Sequence, residues 1–182
     1  MPLFAKAYWD SHPFETGINF VGVGGSGNYL PFIRFCQSFQ IPWFIFSDGE
    51  DEAIKAVESS LGKVKLEIAK CSNVKVIPDK NDFEKFLIKE GYQKEIKAGI
   101  VQCLSDTFQS PQHKDAKVKE IEGWSNDQLM DFMYKHKTGV CCDVIENIIA
   151  NPDPSRRFPT TIKSLLDEIS QELKIEISEK NK

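Results

Sequence analysis

The sequence predicts an α/β protein, with a parallel sheet flanked by helices and a helical C-terminal part. Three observations predict it. Short runs rich in β-branched and aromatic residues recur at 18–23, 43–46 and 74–77. Stretches with helical spacing separate them. The run Trp43-Phe44-Ile45-Phe46 is apolar on both faces, a pattern of parallel strands covered by helices.

Residues 4–9 read as the end of a helix. Ile18-Asn19-Phe20-Val21-Gly22-Val23 reads as a strand closed by Gly24-Gly25. Tyr29 to Phe39 has helical spacing, with Leu30, Ile33 and Phe39 apolar, and Gln40-Ile41-Pro42 breaks it. After the strand at 43–46, Glu50 to Leu61 reads as a helix ended by Gly62. Residues 74–77 form a third strand stopped by Pro78. Asn81-Asp82 caps a helix from Phe83 to Glu90, ended by Gly91. Residues 1–92 therefore form the α/β core. Residues 93–182 form a helical part of the same domain, with candidates at 93–110, 125–150 and 160–176. The polar stretch Ser110 to Lys119 and Asn151-Pro152-Asp153-Pro154 join them, and the final SEKNK is expected to fray.

The 182 residues suit one domain, and 41% apolar residues with 13 Phe supply a core. A net charge of -4 leaves no overall basic footprint, so nucleic-acid binding must rest on a local patch or on bridging cations. No apolar run is long enough to span a bilayer, and the N-terminus lacks the layout of a signal peptide. Cys36, Cys71, Cys103, Cys141 and Cys142 form no CxxC. They read as reduced thiols in a cytoplasmic protein. With His only at 12, 113 and 136, a His-rich zinc site is not expected.

In parallel sheets, ligands sit beyond the carboxyl ends of the strands. Three motifs follow strand ends and are expected on one rim. In Asp48-Gly49-Glu50, alternate carboxylates on a sharp turn can hold one hard cation through oxygen, or can simply open a helix. Gly22-Val-Gly-Gly-Ser-Gly27 offers Gly24, Gly25, Ser26 and Gly27 for close approach of a phosphate. It lacks the Walker lysine and the GxGxxG frame, so a tight strand-to-helix turn is the plainer reading. Asn81-Asp82-Phe83-Glu84 is either a capped helix start or a second acidic pair. Elsewhere, His136-Lys137-Thr138-Gly139 and Arg156-Arg157 are small basic groups, solvated or aimed at phosphate. Cys141 and Cys142 read as core residues before they read as nucleophiles.

The stretch INFVGVGGSGNYLPFIRFCQSFQIPWFIFSDGEDEAIKAV resembles the Toprim half of the OLD (overcoming lysogenization defect) family nucleases. The resemblance extends over residues 3–175 and is strongest over 18–57. It implies a Toprim-like sheet and a metal-dependent DNA endonuclease or nicking activity. It also implies two divalent ions, Mg²⁺ or Mn²⁺, with DNA as partner. Asp48 and Glu50 correspond to the family's DxD-type pair, Asp82 and Glu84 to its later acidic motif, and Lys137 to its K-x-G lysine. The implied metal ligands are Asp48, Glu50, Asp82 and Glu84; the implied catalytic residues are Asp48, Glu50 and Lys137. The family's first strand, with its E-G-x-x-E glutamate, and its ATPase module find no counterpart here.

Two expectations follow. One is a weak or inactive nuclease fragment, with one metal site filled rather than two. The other is a non-catalytic Toprim remnant that binds proteins, associates with itself, or is completed by a partner chain supplying a strand. A small phosphatase-like protein using the same acidic rim is a third, weaker alternative.

Overall fold

The computed structural model describes residues 1–24 and 27–181. The chain forms two compact units, one of residues 1–83 with 160–182 and one of residues 84–159. A division at 92/93 follows instead the change from strand-containing to all-helical sequence.

In the first unit, β1 (Ile45–Ser47) pairs in parallel with β2 (Val74–Val76), in the register Ile45 to Val74, Phe46 to Lys75 and Ser47 to Val76. Helices α1 (Pro2–Trp9), α2 (Leu30–Phe39), α3 (Asp51–Gly62) and α9 (Thr160–Leu173) accompany this sheet. Ile33, Ile45, Val57, Leu61 and Val74 make a buried cluster, with Tyr29, Trp43 and Val76 packed on it. Each such fully buried aliphatic side chain stabilises by about 1.5–3 kcal/mol. A polar clamp ties the first helix to the last: the Trp9 indole N–H donates to Ser170 Oγ at 2.8 Å, and the Tyr8 hydroxyl donates to Asp167. The Lys75 ammonium lies 3.5 Å from Glu168 and ties β2 to α9.

The second unit holds most of α4 (Phe83–Lys89), with α5 (Gln93–Cys103), α6 (Pro111–Glu122), α7 (Asn126–Lys135) and α8 (Lys137–Ile149). Gly99 of α5 lets α8 come close, since a Cβ there would fall 2.6 Å from Val144 Cα. Ile96, Ile100, Val144 and Ile148 are buried along these two helices.

The α/β class with flanking helices holds, and four local expectations are corrected. Ile18–Val23 carries no strand pairing among the described residues. Its β-branched composition favours extended backbone, but a strand exists only through a ladder with a neighbour. Ser110 to Lys119 is not a linker: Ser110 caps α6 by accepting from the His113 N–H, and Pro111 occupies the first helical turn. The stretch 125–150 is two helices that part at His136, where φ is -121° and ψ is 26°. The C-terminal Ser178 to Asn181 is docked rather than frayed: Glu179–Asn181 forms a 3-10 turn, and the Asn181 side-chain amide donates to Ala7 O at 2.8 Å.

Candidate functional site

Because β1 and β2 are parallel, their carboxyl ends open on one edge. The ladder continues past both strands: the Ile77 N–H donates to Ser47 O at 3.0 Å, and the Gly49 N–H donates to Asn81 O at 2.8 Å. The second bond fastens Asp48-Gly49-Glu50 to the loop preceding Asp82. Gly49 is buried there, and a Cβ on it would lie 2.0 Å from the Ile77 carbonyl oxygen. No side chain fits that space, so glycine is the condition for this turn. Its two acidic neighbours, Asp48 and Glu50, are exposed.

The loop leaving β2 is tightly wound. Asp79 and Lys80 both take left-handed backbone, at φ 60° and 57°, which is uncommon outside glycine. The Asn81 side-chain amide closes the loop by donating to Pro78 O at 2.9 Å. Asn81 and Asp82 are buried at its base. Lys80 reaches Asp51 at 2.8 Å, and this partner holds the Asp51 carboxyl below the usual carboxylate range. Asp51 therefore neutralises Lys80 beside the rim.

The glycine turn is held nearby. Gly24 and Gly27 have φ of 75° and 60°, and the Gly27 N–H donates to Gly24 O at 3.2 Å. A Cβ on Gly27 would lie 2.8 Å from Ala56 Cβ, so Gly27 lies close against α3. The Tyr29 hydroxyl then donates to Ser47 Oγ at 3.3 Å, one residue before Asp48. Gly25 and Ser26 lie outside the described residues.

Asp48, Glu50 and Asp82 belong to the first unit, while Glu84 and Lys137 belong to the second. In that unit the Lys137 ammonium lies 3.5 Å from Glu84 Oε1 and 5.1 Å from the centre of the Tyr134 ring. Lys137 opens α8 with its head exposed. Cys141 and Cys142, expected in the core, are exposed free thiols. Tyr29 escaped the sequence reading as a participant, and Asn81, read there as a helix cap, takes part through its backbone carbonyl. Neither residue type announces such a role.

Among the described residues, no group of three or more His, Cys, Asp or Glu is placed to hold a metal ion. A closed zinc-type or calcium-type cage is therefore not formed by them. Two exposed carboxylates on one turn fit a different chemistry. Mg²⁺ keeps several waters and binds through one or two carboxylates together with substrate phosphates.

Residues 1–49 match the family model described as "Overcoming lysogenization defect protein-like, TOPRIM domain". The matched segment runs from α1 through the glycine turn and β1, and it ends on Asp48-Gly49. No curated protein and no solved structure matches the chain. Among the described residues, no helix is long and apolar enough to cross a membrane.

Proposed function

We propose that this chain is a metal-dependent DNA endonuclease or nicking domain of the OLD type, acting in the cytoplasm on phosphodiester bonds. The observation that carries the proposal is the turn at Asp48-Gly49-Glu50. It stands at the end of the family-matched segment and is hydrogen-bonded to the loop before Asp82. Asp48 and Glu50 would hold Mg²⁺ or Mn²⁺, with Asp82 and Glu84 in support. Bound there, such an ion polarises a phosphoryl oxygen and lowers the pKa of a coordinated water. The Gly24, Gly25, Ser26 and Gly27 stretch would offer close backbone approach to a phosphate. Lys137 would place a point charge against the phosphate as negative charge develops on it. With a net charge of -4, the chain depends on the cation for DNA affinity as well as for chemistry. The free cysteines suit the reducing cytoplasm.

A second reading is a non-catalytic Toprim remnant that acts through protein contacts. The exposed Phe32, Phe35 and Phe39 of α2 favour it, because they offer a surface for such contacts. Nicking of supercoiled plasmid with Mg²⁺ and with Mn²⁺, beside Asp48→Ala, separates the two. The nuclease reading expects metal-dependent nicking that a chelator and Asp48→Ala both abolish. A folded wild-type chain that leaves the plasmid supercoiled with either metal overturns it in favour of the remnant.

A further inference from the structure

We propose that the exposed aromatic stripe of α2 is a two-fold interface on which a second copy of this chain docks. Ile33 anchors this helix to the core, while Phe32, Phe35 and Phe39 remain 44%, 56% and 66% exposed. At 3.6 residues per turn, the three rings fall within a stripe about 60° wide. The Phe35 and Phe39 rings touch, with centroids 4.8 Å apart. Beyond the helix, Gln40 turns the chain at φ 55°, and the Ile41 N–H returns to Cys36 O at 2.8 Å. That C-terminal cap folds Ile41, itself 44% exposed, back onto the end of the helix.

The chemistry of the stripe selects its occupant. Arg34 is the single charged residue of α2, and it projects about 130° from the middle of the stripe. The stripe itself is aromatic and without charge, which is the composition of the centre of a homodimer interface. DNA would need cations there, and a membrane surface would need a basic flank. A second copy needs neither, because an uncharged apolar stripe is complementary to itself across a two-fold axis.

The area also fits. A Phe side chain carries about 150–250 Å² of surface, so the exposed fractions give about 300–400 Å² per chain, with Ile41 adding to it. Two chains would remove about 800 Å² of apolar surface. With the polar rim that accompanies such a centre, the total is about 1,200 Å², at the lower end of specific interfaces. Two α2 helices crossing at about 8–10 Å would interleave their rings.

Sedimentation equilibrium of the 182-residue chain tests this, with Phe35→Ser/Phe39→Ser and Phe14→Ser alongside. The expected result is a concentration-dependent mass rising from 20.7 kDa towards twice that value. The double variant should stay at monomer mass with an unchanged far-UV spectrum. Phe14→Ser, at a residue 71% exposed outside the stripe, should dimerise like the wild type. Should the double variant lose its fold, Phe32→Arg alone gives the same reading. A wild-type chain that is monomeric throughout overturns the proposal, as does a dimer that survives these changes. A monomer that instead binds lipid vesicles or duplex DNA through the stripe also overturns it.

Discussion

The backbone amide of Gly49 donates a 2.8 Å hydrogen bond to the carbonyl of Asn81, and through it the acidic ends of both strands are joined. This junction has no room for a side chain, because the Ile77 carbonyl oxygen occupies the place of a Cβ. Gly49→Ala must push the two loops apart. The expected cost lies at or above the top of the about 1–3 kcal/mol range for overpacking. Urea denaturation checks it, and an alanine variant as stable as the wild type would contradict the close approach.

The clamp between α1 and α9 gives a second prediction. Trp9 and Ser170 are both buried, and the Ser170 hydroxyl in turn donates to Leu166 O at 2.7 Å. Ser170→Ala strands the indole N–H without an acceptor and should cost about 1–3 kcal/mol. Adding Trp9→Phe removes the stranded donor, so the double variant should lose less than the sum of the single losses. Thermal denaturation of the three variants measures the difference. Strict additivity would mean that the bond contributes nothing.

Stability should also fall in alkali. Burial, helped by the negative charge of Glu90, pushes the Tyr92 phenol up to about 12 from its ordinary 10.0. The folded state therefore favours the neutral ring. That contribution is fully present below pH 10.0 and is lost as pH rises through about 12. Burial and the hydrogen bond to Asp167 push the Tyr8 phenol in the same direction. Tyr92→Phe should flatten the stability profile between pH 10 and 12 in part, and Tyr8→Phe with it should flatten it further. A profile unchanged by both substitutions would refute the assignment.

Lys137 separates a structural role from a functional one. Its head is 61% exposed, and its 3.5 Å pair with Glu84 is of a kind that contributes little. Lys137→Ala should change stability by less than about 1 kcal/mol. Under the nuclease reading it should still slow plasmid nicking at least tenfold. Undiminished nicking would remove Lys137 from the mechanism, and marked unfolding would make it structural.

The local chemistry of the sequence was a good guide where one segment decides the outcome. The apolar run Trp43 to Phe46 leads into the strand Ile45–Ser47 that delivers Asp48, two residues later than its start suggests, and Gly49 forms the turn. The reading failed where distant residues decide. Ile18–Val23 has the composition of a strand, but pairing depends on what lies beside it. Helix α6 is polar around most of its circumference, so periodicity conceals it, and only Ser110-Pro111 marks its start. The need for glycine at 49 comes from the Ile77 carbonyl, which reaches it only through the sheet register. Helix α2 shows in its helical spacing, yet its Phe face points outward, because apolar spacing does not say what will cover it.

The most direct measurement is Mn²⁺ binding, followed by electron paramagnetic resonance, to the wild type, Asp48→Ala and Asp51→Ala. Both carboxylates flank the same turn, but Asp51 is paired with Lys80 and Asp48 is assigned to the cation. The account predicts at least tenfold weaker binding for Asp48→Ala and a much smaller loss for Asp51→Ala, which bares the Lys80 charge without removing a ligand. Equal binding by all three chains, or no Mn²⁺ binding by the folded wild type, would contradict it.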